Sequence, residues 1–266
     1  MKTENALSPA RVLLDEVRDV NLVQLTDCHL FADPAACLQG MNTRESFERV
    51  FKAVAQNEQP IDMILATGDF SQDETDESYR YLASRLDTLN VPVGWLPGNH
   101  DDQAVMAKFF QGKSILPERH LLAGNWHIVL LDSTIPGEVQ GRVSADQLRF
   151  MHEALNQHAD RHALICLHHP AIPCGSAWLD KKSLLDDDQF RSAVLQHNHV
   201  RSVVWGHVHQ EGYYQRDGIE WLATPSTCIQ FKTDSVEFAL DTLSPGYRSI
   251  TLKPDGSIMS SVTRVE

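Results

Sequence analysis

Short apolar runs recur along the chain at Val20–Leu25, Met63–Ala66, Val93–Leu96, Asn125–Asp132, Ala163–Leu167 and Val200–Trp205. Each is four to eight residues long and bounded by turn-forming residues, the pattern of a buried strand. The segments between them carry a helical period instead. Asn42 is placed to cap a helix running to about Asn57, with Glu45 at its third position and Phe47, Val50, Phe51 and Val54 on one face. A second helix is expected from about Asp76 to Leu89 on the stripe Tyr79, Leu82, Leu86, Leu89. Ser144-Ala145-Asp146-Gln147 reads as a capping box opening a third, with Leu148, Met151 and Leu155 at helical intervals. A fourth covers about Asp187 to His197, and Asp186-Asp187-Asp188 puts negative charge where a helix N-terminus favours it. Strand alternating with helix predicts an α/β architecture.

The rhythm changes towards the C-terminus. Gly212–Gln215 and Ile219–Ala223 flank the turn dipeptide Asp217-Gly218, and Tyr247–Leu252 and Ser257–Val262 flank Pro254-Asp255-Gly256. Two hairpins are expected there, forming a second, more antiparallel sheet packed on the first, with helices outside. With 266 residues and 42% hydrophobic content the chain can bury a large core. No Pro/Gly/Ser-rich linker, repeat or low-complexity tract divides it, so one domain over residues 1–266 is expected, with the strands of about 233–266 completing a core of about 19–232.

Chemistry gathers at the ends of the expected strands, where open α/β sheets bind their ligands. Asp27-Cys28-His29 follows the first run, Gly68-Asp69 the second, Gly98-Asn99-His100-Asp101 the third, Leu167-His168-His169-Pro170 the Ala163 run, and Gly206-His207-Val208-His209 the Val200 run. On a strand, residues i and i+2 face one way, which would turn Asp27 and His29 towards one ion, and His207 and His209 repeat the same spacing. Asp69 can place its two oxygens on two ions, and ions roughly 3.5–4 Å apart polarise one phosphate between them. With 14 Gly and 13 His in 266 residues, composition alone predicts roughly 0.03 copies of Gly-His-x-His. A binuclear metal centre on Asp27, His29, Asp69, Asn99, His168, His207 and His209 is therefore expected. Imidazole, carboxylate and amide donors suit iron or manganese, with zinc and cobalt as alternatives, and disfavour magnesium alone.

Charge narrows the partners. At −13, with no Lys/Arg stripe, the surface argues against gripping a nucleic-acid backbone, while two bound cations would still draw a small phosphate. The five cysteines, at 28, 37, 166, 174 and 228, are odd in number and lack C-x-x-C spacing, as expected of reduced thiols. Met1-Lys2-Thr3-Glu4-Asn5 leads into no apolar signal core, and nowhere do 18 apolar residues run together. A soluble, cytoplasmic protein without a membrane partner is expected; oligomeric state is left open.

The ordered motifs Asp27-x-His29, Gly68-Asp69, Gly98-Asn99-His100-Asp101, His168-His169-Pro170 and Gly206-His207-x-His209 resemble those of the calcineurin-like metallophosphoesterases over about residues 19–232. Thr26–Phe31, Cys174–Asp180 and Ala223–Phe231 narrow the likeness to bacterial class III cyclic-nucleotide phosphodiesterases. The resemblance implies a four-layer α/β/β/α sandwich. It implies one ion on Asp27, His29, Asp69 and His209 and a second on Asp69, Asn99, His168 and His207, with Asp69 bridging. Cys28 departs from the usual Thr or Ser and is expected to point away from the metals.

The implied activity is hydrolysis of 3′,5′-cyclic AMP to 5′-AMP by in-line attack of a metal-bridging hydroxide. His100 would stabilise the transition state and protonate the leaving 3′-oxygen, with Asp73 as its orienting partner. His29, Asp69, Asn99, His100 and His209 would meet the substrate. Trp178 and Phe231 are suited equally to stacking on a purine or to packing, and Thr224, Ser226 and Thr227 to hydrogen bonding or to shaping a turn. The same metal set would also serve a glycerophosphodiesterase or a broad-specificity phosphodiesterase, and the same fold a non-catalytic protein-binding scaffold.

Overall fold

A computed structural model describes residues 7–57 and 59–266; Met1–Asn5 lie outside the described residues. The first half of the chain forms β1 (Arg11–Leu14), β2 (Val20–Leu25), β3 (Cys37–Leu38), β4 (Met41–Asn42), α1 (Thr43–Ala55), β5 (Met63–Thr67), α2 (Asp76–Asp87), β6 (Val93–Leu96) and α3 (Gln103–Phe109). The second half forms β7 (His120–Ala123), β8 (Trp126–Leu130), α4 (Ala145–Gln157), β9 (His162–Cys166), α5 (Ala177–Asp180), α6 (Asp187–Val194), β10 (Val200–Trp205), β11 (Gly212–Arg216), β12 (Ile219–Ala223), β13 (Gly246–Leu252) and β14 (Ile258–Arg264).

The helices start where their caps demand. The Asn42 side chain accepts from the Glu45 N–H at 3.0 Å, Thr75 from Ser78, and Ser144 from Gln147, so each first turn has a donor satisfied. α2 stops at Asp87, short of the expected Leu89, and α6 at Val194, short of His197.

Two sheets result: β1-β7-β8-β9-β10-β12-β11 and β14-β13-β2-β5-β6, with β3-β4 as a separate ribbon. Alternation along the strands sorts side chains into three apolar layers. Leu22, Leu65, Ile128, Leu164, Val204 and Leu222 fill the space between the sheets. Their neighbours Val23 and Ile64 pack outward beneath α1 and α2, beside Phe47, Phe51 and Leu82. Val129, Ile165 and Val203 pack outward on the other side with Met151, Leu155 and Phe190 of α4 and α6. Three cores between four layers make the α/β/β/α sandwich.

One expectation is corrected. The C-terminal hairpins do not build a sheet of their own. β12 pairs parallel with β10 (Ser202↔Glu220), and β13 pairs antiparallel with β2 (Arg248↔Gln24), so each hairpin extends a different sheet. A free two-stranded hairpin is marginal in water, and an open sheet edge with an apolar face offers it partners. The buried Arg248 then links the sheets, its guanidinium donating to the Ala223 carbonyl at 2.7 Å and to the Gly212 carbonyl at 3.0 Å.

Candidate metal centre

β2, β5, β6, β9 and β10 all finish at one rim, and the loops that follow them carry every proposed ligand. The manner differs from simple strand alternation. β2 ends at Leu25 and β10 at Trp205, so Asp27, His29, His207 and His209 lie beyond their strands. These four and Asp69 hold left-handed backbone, with φ of 55°, 45°, 65°, 48° and 51°. Each such residue costs about 1–2 kcal/mol without a glycine, and such conformations gather at functional sites when the surroundings enforce them. Here the enforcement is visible: Asp27 N–H donates to the Gly68 carbonyl at 2.9 Å and His29 N–H to the Asp69 carbonyl at 3.0 Å, continuing the β2–β5 pairing past the strand ends. Gly68 itself has φ 92°, and a Cβ there would fall 2.5 Å from Gly98 N and 2.7 Å from His168 Nδ1. Backbone must pass this close for the loops to converge.

Three imidazoles are fixed by the same device. His29 Nδ1 donates to Gln72 Oε1 at 2.9 Å, His168 Nδ1 to the Thr67 carbonyl at 2.8 Å, and His209 Nδ1 to the Ile229 carbonyl at 2.8 Å. Each is thereby left with a bare Nε2 turned inward. The Nε2 atoms of His29 and His209 stand 3.1 Å apart, and His209 Nε2 is 3.3 Å from Asp27 Oδ1. Lone pairs so placed repel unless a cation lies between them, and metal bonds of about 2.1 Å give edges of about 3.0–3.4 Å. On the other side His168 Nε2 is 3.3 Å from Asp69 Oδ2, and His207 Nδ1 is 2.9 Å from Asn99 Oδ1. The Nε2 atoms of His168 and His207 are buried without a hydrogen-bond partner. Residues Asp27, His29 and His209 form one group able to share an ion, and Asp27, Asp69 and His168 another. The donor set and its orphaned nitrogens fit two divalent cations.

Asp69 joins the halves, though not with one oxygen per side. Its Oδ2 faces both His168 Nε2, at 3.3 Å, and His29 Nε2, at 3.6 Å, while Oδ1 accepts the His100 N–H at 2.8 Å. The neighbouring Asp101 accepts from the N–H groups of Phe70, Ser71 and Gly98, clamping the loops after β5 and β6 together.

Burial and the carboxylate–imidazole contacts set the charge directions at the centre. Burial works to raise the Asp27 and Asp69 carboxyls, but the facing imidazoles of His209 and His168 outweigh it and hold both below the ordinary range. Burial depresses His29 to about 4 and pushes His207 well down, so both are neutral donors. His168 goes the other way, to about 9, because Asp69 and Asp27 overcome its burial. Buried carboxylates here draw positive charge to the space between them. Burial, then Asp69, lifts Asp101 to about 7.

His168 rather than His169 turns to the centre: His169 spends Nδ1 on Ser133 Oγ at 2.8 Å and Nε2 on the Val139 carbonyl at 3.2 Å. Cys28 packs into the apolar layer under α1, as expected. Asp73 is a correction. Its carboxylate accepts from Ala32 N–H at 2.7 Å and Thr75 Oγ1 at 2.7 Å, fastening the entry to α2, and it is Gln72 that reaches His100, with Nε2 at 3.4 Å from Nδ1. The Gln72 amide therefore fixes two imidazoles, His29 through its oxygen and His100 through its nitrogen. A side chain one position from the expected one was illegible because the loop leaves extended geometry after Ser71.

An open cavity of about 200 Å³ covers the centre and is lined by His29, Asp69, Asn99, His100 and His209 among others. Trp178 and Phe231 both line it, joined by Phe238, which no periodicity flagged. Thr224 and Ser226 point inward instead: Thr224 Oγ1 donates to Gln24 Oε1 at 2.5 Å and Ser226 Oγ to the Asp27 carbonyl at 2.7 Å, supporting the Asp27 loop.

Residues 20–211 match the calcineurin-like phosphoesterase family, to which this chain belongs. Among similar proteins is the 3′,5′-cyclic adenosine monophosphate phosphodiesterase CpdA of Haemophilus influenzae, 42% identical over 248 residues that cover 93% of this chain and 90% of the relative. The protein of the same name from Pseudomonas aeruginosa is 41% identical over 247 residues, again 93% and 90% of the two chains. A dimetal phosphatase from Danio rerio shares the fold, with a TM-score of 0.65 at 16% identity, covering 93% of this chain and 99% of that one. Among the described residues no helix is long and apolar enough to cross a membrane.

Proposed function

We propose that this protein is a binuclear metal-dependent phosphodiesterase that hydrolyses 3′,5′-cyclic AMP to 5′-AMP. The observation that carries this reading is the placement of Asp69 Oδ2 between His29 and His168, at 3.6 and 3.3 Å, with His100 beside it at the open cavity. Asp27, His29, Asp69 and His209 would hold one ion, and Asp69, Asn99, His168 and His207 the other. Iron or manganese suits these donors, with zinc or cobalt able to substitute. Bound there, the ions supply Lewis acidity to the phosphoryl oxygens and bring a water towards neutral pKa.

The chain's own residues do the rest. The His29–Gln72–His100 contacts hold the His100 ring in place, and in its protonated form Nε2 would give the leaving 3′-oxygen its proton and be left a neutral imidazole. The half-buried Asn99 and His100 line the mouth of the cavity, while the buried Asp27 and Asp69 stay ionised beneath it. The chain's likeness to cyclic AMP phosphodiesterases over 93% of its length supports that substrate class. Five thiols without a disulfide among the described residues support a reducing, cytoplasmic setting.

Rates on cyclic AMP, a glycerophosphodiester and a small aryl phosphodiester, measured on enzyme reconstituted with each metal, test the reading. The expected result is fastest turnover of cyclic AMP with 5′-AMP as sole product. Preference for the glycerophosphodiester, or 3′-AMP as product, would overturn it.

A further inference from the structure

Half of the cavity wall belongs to residues that reach neither the metal ligands' nitrogens nor the carboxylates. Among them are three aromatic rings from the C-terminal half and the turn of the β3–β4 ribbon.

The three rings are not equivalent. Phe231 stacks on the ligand His209 with centroids 4.3 Å apart and planes at 18°, so its face is taken. Trp178 meets Phe231 edge to face at 5.0 Å and Phe238 at 5.2 Å, while the Lys182 ammonium sits 4.9 Å from the indole centroid. Phe238 keeps an open face: it is 51% exposed although buttressed by both other rings. The segment that presents it is held down. Phe231 bridges to Leu240, Lys232 N–H donates to the Ala239 carbonyl at 2.9 Å, and Gln210 Nε2 donates to the Lys232 carbonyl at 3.1 Å. An aromatic ring fixed half in water gains most when another flat apolar surface covers it.

Gln39 also lines the cavity, exposed, at the tip of the ribbon formed by Cys37↔Asn42 and Leu38↔Met41. Its φ is 49° and that of Gly40 is 86°, the two left-handed positions of a tight hairpin turn. Asn, Asp and Gly suit the first of these; glutamine has no local advantage there. What a glutamine amide does offer is a paired donor and acceptor that match adenine N7 and N6.

We propose that this half of the cavity is a purine-recognition slot, with Phe238 as the stacking face and Gln39 as the reader of the adenine edge. Phe231 and Trp178 position Phe238 rather than contact the base. The inference rests on the phosphodiesterase reading, since it takes the phosphate end of the same nucleotide to lie at the metal centre.

Calorimetry on the metal-loaded protein with 5′-AMP, 5′-IMP and ribose 5-phosphate tests it, because the phosphate contribution is common to all three. Wild type should bind 5′-AMP about tenfold or more tighter than ribose 5-phosphate, the usual gain from one base stacking on an aromatic side chain. Phe238→Ala should bring the two within about threefold and Phe238→Tyr should restore the gap. Gln39→Ala should keep the stacking gain but erase the preference for 5′-AMP over 5′-IMP. Equal affinity for 5′-AMP and ribose 5-phosphate in wild type, or ratios unmoved by Phe238→Ala and Gln39→Ala, overturns the slot. Turnover of cyclic AMP by the same preparation separates the two readings: turnover without base preference sinks the slot alone, and base preference without turnover sinks the phosphodiesterase reading.

Discussion

At the finishing ends of β9 and β10 the imidazoles of His168 and His209 face the buried carboxylates of Asp69 and Asp27, whereas near the starting ends of β8, β9 and β10 His127 meets His120 and His158, His199 meets His197, and His162 meets Arg201. The second cluster is as rich in nitrogen as the first. His120 Nδ1 lies 3.3 Å from His127 Nε2, His152 Nδ1 lies 2.7 Å from His197 Nε2, and Arg201 Nε donates to His162 Nδ1 at 3.3 Å. Yet every group of three side chains close enough to share an ion, among the described residues, lies at the first end. One imidazole at the first end also moves the opposite way: against its burial, Asp69 and Asp27 lift His168 to about 9, while burial, then His120 and His158, depress His127 to about 3. Histidine supplies the donor; a buried carboxylate facing it supplies the demand for positive charge.

The largest break in this comparison should come from the carboxylate that both halves share. Asp69→Ala should remove bound metal and cut kcat by at least about 10³-fold, since several kcal/mol of transition-state charge stabilisation depend on the centre. Elemental analysis beside turnover checks it, and full occupancy with normal rate would take Asp69 out of the bridge. His100→Ala should keep the metal but lose about 10²- to 10⁴-fold in kcat, the span for a proton-transfer residue.

Smaller effects sharpen the picture. Gln72→Ala, which frees two imidazoles at once, should cost about 10- to 100-fold in activity or metal affinity. Asp73→Ala should leave kcat near wild type and show up as about 1 kcal/mol lost in a denaturation curve, the worth of its loop hydrogen bonds. If the two variants swap these outcomes, the assignment of the His100 partner is wrong.

His127→Leu should leave metal content and turnover unchanged and act only on acid stability. The folded pKa of His127, about 3, lies below its ordinary 6.5. Its neutral form is the folded one, so its contribution is present above pH 6.5 and is lost as pH falls towards about 3. The leucine variant should therefore show a flatter decline of melting temperature across that window; an unchanged acid limb would mean the imidazole is not held neutral.

Much of this was legible in the residue order. Val20–Leu25, Met63–Thr67 and Val200–Trp205 are buried strands because their apolar residues face a core on both sides, and the Asn42 and Ser144 caps fix helix starts within a residue. The ligands were legible because Asp, Asn and His recur at strand exits, with Asp69, Asn99 and His207 directly after glycine. Their conformation was not. Left-handed backbone at Asp27, His29, Asp69, His207 and His209 is imposed by hydrogen bonds between loops distant in sequence, such as His207 N–H to Asp27 Oδ2 at 3.0 Å. The same holds for Gln72 over Asp73 and for Phe238, whose place depends on pairing that no local period encodes. The strands β1 and β7 escaped notice because they are short, and β1 is largely exposed.

Anomalous diffraction from a crystal of the metal-loaded protein, recorded at the absorption edge of the bound element, tests the central claim most directly. Two peaks about 3.5–4 Å apart, flanking Asp69 Oδ2, are predicted. A single peak, or peaks lodged instead among His120, His127 and His158, would contradict it.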